Sequence, residues 1–135
     1  MPLSLEIISP EKLLLSRQVE MVVIPGTEGD LGVLPGHAKL ITGLRGGLVD
    51  IYENGQLTDR FFVSGGFAEV TEDRCSVLAD EITRKADLNP ARAATALEEA
   101  KAAYSAQDIH DRQGYLAARD RLISAQAMVD AARAP

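Results

Sequence analysis

The hydrophobic pattern of this chain changes its period once, near Asn89-Pro90, and a single regular element cannot contain such a change. From the N-terminus to about Arg84, apolar residues alternate with polar ones in short runs, which indicates strands with one buried face. After Pro90, alanine dominates and apolar residues recur every three or four positions, as they do in amphipathic helices. The sequence therefore predicts two structural units, residues 1–87 and residues 88–135.

Five alternating runs mark the predicted strands: LSLEII, VEMVVI, LVDIYENGQLTDRFFV, FAEV and CSVLAD. In the third run Asn54-Gly55 can supply the positive φ angles of a type I′ turn, which predicts a hairpin from Leu48 to Val63. Short strands with no long helix between them predict an antiparallel β-sandwich or a flattened barrel, and they exclude a parallel α/β fold. We interpret the glycine groups GLRGGL and SGGF as bends or bulges of the sheet, because neither matches a phosphate-binding loop.

Two antiparallel helices are predicted after residue 88. Asn89 is expected to cap the first helix, with Pro90 at its first position. Apolar residues follow one face of each helix, on either side of the polar break SAQDIHDRQG: Ala93, Leu97, Ala100 and Tyr104, then Tyr115, Ala118, Leu122, Ala125 and Val129. Two exposed ion pairs are expected to support the helices, Glu98 with Lys101 and Asp108 with Arg112.

The small side chains of this seam bear on how firmly the helical hairpin is held. Alanine removes little apolar area from water, and each Å² contributes roughly 25 cal/mol. The hairpin is therefore expected to detach from the first unit at low cost. An ordinary stable hairpin is the alternative, and the periodicity leaves both open.

The charge of the chain excludes one class of partner. Its 135 residues carry 14 Lys and Arg against 20 Asp and Glu, which gives a net charge of -6. Residues 1–87 hold 8 of the basic and 14 of the acidic groups, whereas residues 88–135 hold 6 of each. Because phosphate binding needs a basic face, the chain is not expected to bind nucleic acid.

Candidate catalytic and metal-binding residues are few. Asp30 and His37 are close in sequence, but the glycines between them define no geometry for a catalytic pair. Cys75 lies in an alternating run and is predicted to be a core thiol. His37 and His110 lack the spacing of a zinc site. The sequence thus predicts neither catalysis nor metal binding, and an enzyme that uses Asp30 and His37 is kept as an alternative.

The stretch from Glu28 to Thr42, EGDLGVLPGHAKLIT, places apolar side chains on a glycine-rich backbone. Leu31, Val33 and Leu34 are expected to offer exposed apolar surface there, although the sequence does not decide which of the three face inward as core. SGGFAEV is a second glycine-flanked apolar segment. Exposed apolar residues on an otherwise polar, acidic unit indicate a protein-interaction module.

These segments, in this order, resemble one known family. LEIISPEKLL, TEGDLGVLPGHAKLIT, FFVSGGFAEV, VLADE and the alanine-rich helices after DLNPARA closely resemble the epsilon subunit of F-type ATP synthases, over essentially the whole chain. The resemblance implies a β-sandwich of about ten strands followed by an α-helical hairpin. It also implies a non-catalytic rotor subunit that couples the turning of the proton-driven c-ring to the gamma stalk, without a cofactor of its own.

The resemblance assigns a partner to each surface. A loop at the bottom of the sandwich would contact the polar loops of the c-ring through Asp30, Leu31, Gly32, Val33, Leu34, Pro35, Gly36 and His37. Its glycines would shape the turn, its apolar side chains would make contact, and Asp30 and His37 would hydrogen-bond at the rim. Another face of the sandwich would pack on the gamma subunit, and the chain would reach the membrane only through the complex.

The hairpin carries the regulatory features of the family incompletely. In many members the hairpin extends along the stalk, touches the alpha and beta subunits transiently and blocks ATP hydrolysis. Such inhibition needs basic side chains against acidic segments of those subunits, and the zero net charge of this hairpin leaves it open. Some bacterial members bind ATP through the motif [IL]DxxRA, whose aspartate is missing among the matching residues: Leu88, Asn89, Arg92 and Ala93. Their second-helix arginines align with Ser124 and Met128. A nucleotide-gated inhibitor is therefore the alternative function, and ATP is not expected as a ligand.

The N-terminal residues have the pattern of neither a secretory signal nor a transit peptide, and no window approaches 18 consecutive apolar residues. Together with the resemblance, this predicts a bacterial protein on the cytoplasmic face of the inner membrane. A plastid-encoded member is the alternative.

Overall fold

Two long strands determine the architecture of the first unit. A computed structural model describes residues 2–134. It contains eight strands, a single 3₁₀ turn at Lys85–Asp87 and two helices. The strands are β1 Leu3–Ile8, β2 Leu13–Val19, β3 Met21–Gly26, β4 Gly29–Val33, β5 Leu40–Glu53, β6 Gln56–Val70, β7 Arg74–Ala79 and β8 Ile82–Arg84. The helices are α1 Pro90–Ala106 and α2 Arg112–Arg133.

Strands β5 and β6 pair with each other along almost their whole length and pass through both layers of a sandwich. One layer has the order β2-β1-β7-β6-β5, and the other has the order β8-β6-β5-β3-β4. Because β5 and β6 each contribute a segment to both layers, the eight strands form ten strand segments, in agreement with the expected number. The predicted β-sandwich followed by a helical hairpin is confirmed. One detail differs, because β1 and β7 pair in parallel and the sandwich is therefore not wholly antiparallel.

The alternating residues of both layers meet in one core. Among the fully buried members are Leu3, Leu5 and Ile7 from β1, and Val49 and Ile51 from β5. Cys75 is also fully buried, as predicted, and burial raises the pKa of its thiol to about 12. Since the thiolate is the reactive form, this cysteine should stay inert in the folded protein.

The predicted turns and bends are confirmed by backbone angles. Asn54 and Gly55 both have positive φ, at 55° and 73°, and Glu53 pairs with Gln56 across this two-residue type I′ turn. Gly66 has a φ of 120° where β6 passes from one layer to the other. A Cβ atom at Gly66 would lie 2.8 Å from the Cα atom of Ala79, so β6 and β7 could not approach as they do.

An ion-pair cluster closes one edge of the sandwich. Asp59 on β6 accepts hydrogen bonds from Arg17 on β2 at 2.8 Å and from Arg84 on β8 at 2.9 Å. The Arg84 guanidinium also lies 4.8 Å from the ring centroid of Phe61. Because β2 and β8 belong to different layers, Asp59 ties the two layers together.

The hairpin has the predicted cap and seam. The Asn89 side chain accepts hydrogen bonds from the backbone N–H groups of Ala91 and Arg92, which confirms the cap. The buried seam residues and their half-buried neighbours form a second hydrophobic cluster: Ala93, Leu97, Ala100, Leu122, Ala125 and Val129. Near the connecting loop the hydroxyls of Tyr104 and Tyr115 lie 2.7 Å apart, and this hydrogen bond raises the pKa of Tyr104.

One of the two predicted helical ion pairs is confirmed. Lys101 Nζ lies 3.6 Å from a carboxylate oxygen of Glu98. The pairing of Asp108 with Arg112 was a wrong prediction, because α1 ends at Ala106 and Asp108 lies in the loop. Its carboxylate accepts a hydrogen bond from the backbone N–H of His110, so the side chain shapes the loop instead of supporting a helix.

The hairpin is folded against the sandwich, with α2 lying across β5 and β6. Gly46 permits the approach, because a Cβ atom there would lie 3.1 Å from the Cα atom of Ser124. Phe62 is only 1% exposed, yet it stands outside the sandwich core and lines a cleft against α1 and α2. Phe61 and Val63 point into the core on the other side of β6. Phe62 is thus the largest side chain of the sandwich that the hairpin covers.

Candidate interaction surfaces

The segment Leu34–His37 forms a tight turn at one end of the sandwich. Pro35 occupies its second position and Gly36, with a φ of 88°, its third, as in a type II turn. The His37 N–H donates to the Leu34 carbonyl oxygen at 3.2 Å, and the Gly36 N–H donates to the Glu72 carbonyl oxygen. The second bond fixes this turn to the β6–β7 turn, so it is a rigid feature of the surface.

The structure shows which apolar residues of the Glu28–Thr42 stretch face the core. Along β4 the side chains alternate, and Val33 and Leu31 fall on the inner face. Val33 is fully buried and Leu31 is half-buried against the core, whereas Leu34 is 53% exposed. The sequence left undecided which of the three faces the core, and Val33 is that residue: its side chain supports the loop from inside. Gly32 is exposed, with open space around it.

Asp30 and His37 are not brought together. Asp30 pairs with Arg45, whose guanidinium also donates to the Gly26 carbonyl oxygen. His37 turns its Nδ1 atom toward the Ala38 carbonyl oxygen at 2.7 Å. The extended chain from Asp30 to the turn at Leu34 spans about 13 Å, at roughly 3.3 Å per residue. The geometry therefore gives no support to a catalytic pair.

A row of exposed and half-buried apolar side chains crosses the outer face of the β2-β1-β7-β6-β5 layer. Phe67 pairs with Leu78, Leu78 pairs with Ile8, and Ile8 pairs with Leu13, so the row spans four strands. Ile41, 72% exposed, lies on the neighbouring strand. We call these five residues the apolar stripe. Phe67 was anticipated within SGGFAEV, whereas Ile8 and Leu13 join the stripe only through the parallel β1–β7 pair, for which the sequence has no local signal.

The residues that match the nucleotide motif are scattered. Asn89 is occupied as the helix cap, Ala93 is buried in the seam, and Leu88 is half-buried. Arg92 is exposed and lines a shallow groove with Thr95 and Glu99 on α1. The motif therefore does not converge on a single binding site.

A cleft of about 480 Å³ lies between the sandwich and both helices, and we call it the hairpin cleft. Ser124 and Met128 line it, at the positions where an ATP site would need arginines. Asp80, Glu81 and Asp120 also line it, against one cationic side chain, Arg121. Arg121 is itself 3.8 Å from Glu99. The electrostatics of the cleft are thus unfavourable for a polyphosphate.

Among residues 2–134 the structure contains no cluster of three His, Cys, Asp or Glu side chains suited to a metal ion. Within the same residues, neither helix is long and apolar enough to span a membrane.

Comparison with known proteins identifies the family. Residues 2–85 match the family described as "ATP synthase, Delta/Epsilon chain, beta-sandwich domain". The ATP synthase epsilon chain of Granulibacter bethesdensis is 54% identical over 130 residues, covering 96% of each chain. The chain belongs to the ATP synthase epsilon chain family. The relationship extends through the hairpin, so this epsilon-family chain shares both structural units with that relative.

Solved structures show the same fold. A chain of the mitochondrial ATP synthase of Euglena gracilis superposes with a TM-score of 0.81 at 24% identity, over 96% of this chain and 81% of that chain. A chain from the central stalk and c-ring of Tetrahymena thermophila mitochondrial ATP synthase gives 0.73 at 14% identity, over 98% and 97%. At such identities the likeness establishes the fold of this epsilon-family chain, and its contacts are argued below from its own surfaces.

Proposed function

We propose that the chain is a non-catalytic rotor subunit of a proton-translocating F-type ATP synthase, which couples rotation of the c-ring to the gamma stalk. The observation that supports this proposal is that one rigid sandwich bears two separate surfaces suited to partners. The Leu34–His37 turn lies at one end, and the apolar stripe lies on an outer face. Torque can pass between two partners only through a body that does not yield, and the shared core and the Asp59 ion pairs supply that rigidity.

The turn is the proposed c-ring contact. Leu34 and Pro35 offer apolar surface, Gly36 sets the turn, and His37 stands at its rim. The other residues of the expected ring-contact loop, Asp30 to Val33, lie in β4 and have supporting roles here. Val33 anchors the loop in the core and Asp30 is held by Arg45, while Leu31 and Gly32 set the course of the strand.

The apolar stripe is the proposed gamma contact. An exposed apolar row on the outer face of a sheet is unfavourable in water and typical of a surface that a partner covers. The chain is then held at the cytoplasmic face of the bacterial inner membrane through gamma and the ring. Contacts of the extended hairpin with the alpha and beta subunits, and a brake on ATP hydrolysis, belong to the same proposal.

The gamma contact is tested by placing charge in the stripe. Phe67→Asp with Leu78→Asp should lower the amount of chain that co-purifies with gamma by at least about 100-fold, because two apolar contacts are replaced by buried carboxylates. Ile109→Asp, at a position 73% exposed in the hairpin loop, is the matched control and should bind normally. Equal recovery of the double variant and the control from assembled complexes would place gamma on another surface.

The alternative, a nucleotide-gated inhibitor, is disfavoured by the acidic lining of the hairpin cleft. Titration of the purified chain with ATP should leave the amide resonances of α1 and α2 unchanged, since each carboxylate in the cleft repels the phosphates. Titration with sodium chloride at matched ionic strength is the control. Saturable shifts of α1 and α2 resonances, specific to ATP, would establish the regulatory alternative instead.

A further inference from the structure

The hairpin has two interfaces of different quality, one between α1 and α2 and one between α2 and the sandwich. The first is the seam. Among residues 2–134, its buried side chains form a hydrophobic cluster that includes none from the sandwich: Ala93, Leu97, Ala100, Ala125 and Val129. Leu122, Met128 and Ala132 pack against this cluster from its edge. The seam is therefore an apolar core of its own, separate from that of the sandwich.

The interface with the sandwich is less completely packed. It is made mainly by α2, which lies across β5 and β6, while α1 packs on α2. Ser124 and Ala127 approach the backbone at Gly46, and the hairpin cleft opens beside them. Phe62 is the one large side chain that this interface covers. Because small residues and an open cleft remove little apolar area from water, docking should contribute less free energy than the seam.

A pair of tyrosines closes the seam at the end nearest the connecting loop. The ring centroids of Tyr104 on α1 and Tyr115 on α2 lie 5.4 Å apart, with the rings tilted by 41°. Aromatic pairs in this arrangement attract each other beyond the burial of their area. Their hydroxyl oxygens are 2.7 Å apart and share a hydrogen bond. Separating α1 from α2 would break both interactions.

Asp111 fixes the loop that joins the helices. Its carboxylate accepts hydrogen bonds from the backbone N–H of Gly114 at 3.2 Å and from the side-chain amide of Gln107 at 3.4 Å. Gln107 caps the end of α1 and Gly114 lies in the first turn of α2. A Cβ atom at position 114 would lie 2.6 Å from the Gln107 amide nitrogen, so glycine permits this approach. The loop thus holds the two helix ends together through its own contacts.

We propose that the hairpin leaves the sandwich as a closed pair, in which α1 and α2 stay packed on each other through the seam, the tyrosine pair and the Asp111 loop. Separated helices of 17 and 22 residues would lose the packing that supplies most helical stability in water. A partner of the released hairpin then meets the docking face of α2, around Ser124 and Ala127, while the seam stays covered. This inference goes beyond the proposed coupling function and holds whether or not the hairpin is a brake.

Pulsed electron paramagnetic resonance on the complete chain can follow the two interfaces separately. Spin labels at Thr95→Cys and Gln126→Cys, both exposed and distant from the connecting loop, report the seam. Labels at Gln56→Cys and Gln126→Cys report docking, because Gln56 lies on β6. Labelling precedes the addition of urea, so the buried Cys75 should stay unmodified.

The docking distance should change at a lower urea concentration than the seam distance. Phe62→Ala should lower the midpoint of the docking change and leave the midpoint of the seam change where it is. A seam distance that lengthens together with the docking distance, or before it, would overturn the closed pair. So would a seam midpoint that falls with Phe62→Ala, since the helices would then separate as they leave.

Removing one hydroxyl tests the tyrosine pair. Tyr104→Phe keeps the ring, so it should raise the fraction of chains with a lengthened seam distance about fivefold at a given urea concentration, without moving the docking midpoint. Tyr52→Phe makes the same change at a half-buried position of β5 and should alter neither midpoint. Equal seam midpoints in the two variants would remove the tyrosine pair from the proposal. A docking midpoint lowered by Tyr104→Phe would show that seam and docking are a single unit, against the closed pair.

Discussion

Replacing Gly66 by alanine is expected to lower the free energy of unfolding of the sandwich by at least about 3 kcal/mol. Two costs combine at this position. A φ of 120° is a conformation that side-chain-bearing residues rarely adopt, and the new Cβ would collide with the backbone of β7 at Leu78 and Ala79. Relief requires separating β6 from β7 at the bend on which both layers depend. Such a loss is a large part of the roughly 5–15 kcal/mol that stabilises a typical domain.

Urea denaturation followed by circular dichroism measures this loss, and another glycine provides the control. Gly32 lies on β4 without a positive φ, and a Cβ atom added there would meet nothing within 4 Å. Gly32→Ala should therefore change the free energy of unfolding by no more than about 0.5 kcal/mol. Similar midpoints for the two variants would show that the bend at Gly66 can shift at little cost.

Replacing Phe62 by alanine is expected to release the hairpin while the sandwich stays folded. Truncating a buried phenylalanine costs about 3–5 kcal/mol, and here much of the lost contact lies between the sandwich and the helices. If about 3 kcal/mol of that falls on docking, the undocked population rises roughly 100-fold. Hydrogen exchange of the α1 and α2 amides should accelerate accordingly, while exchange in β1 and β7 should not.

The control for this prediction is an exposed phenylalanine that does not contact the hairpin. Phe67 is 47% exposed in the apolar stripe, away from the hairpin, so Phe67→Ala should leave hairpin exchange unchanged. If Phe62→Ala accelerated exchange in the helices and the core strands by the same factor, the two units would unfold together. The low-cost detachment expected from the alanine seam would then be wrong for this chain.

Local chemistry explains which features could be predicted from the sequence. Asn54-Gly55 and Asn89-Pro90 act on their own backbones, so a turn and a helix start follow from a few adjacent residues. The alanine seam follows equally from spacing within each helix. The burial of Val33 could not be decided from the sequence because the nearby glycines suggested a loop, although Leu31 and Val33 alternate as in a strand.

The contacts between distant segments had no comparable local signal. The parallel pairing of β1 with β7 joins segments about 70 residues apart, and the apolar stripe reaches Ile8 and Leu13 only because of it. Docking of the hairpin does have a signal in the sequence of β6. Phe61, Phe62 and Val63 interrupt the alternation with three apolar residues in a row, which is typical of a strand buried on both faces. The sequence therefore predicts that both faces of β6 are buried, but it does not predict which helix buries the outer face.

If the proposed function is right, the sandwich by itself couples the ring to the stalk. Proton-driven ATP synthesis and ATP hydrolysis should be measured in membrane vesicles depleted of this subunit and then supplied with the complete chain or with the chain truncated after Asp87. We predict that both chains restore synthesis, and that the truncated chain gives several-fold faster hydrolysis if the hairpin is a brake. Vesicles that synthesise ATP equally well without any added chain, or that respond only to the complete chain, would contradict this coupling role.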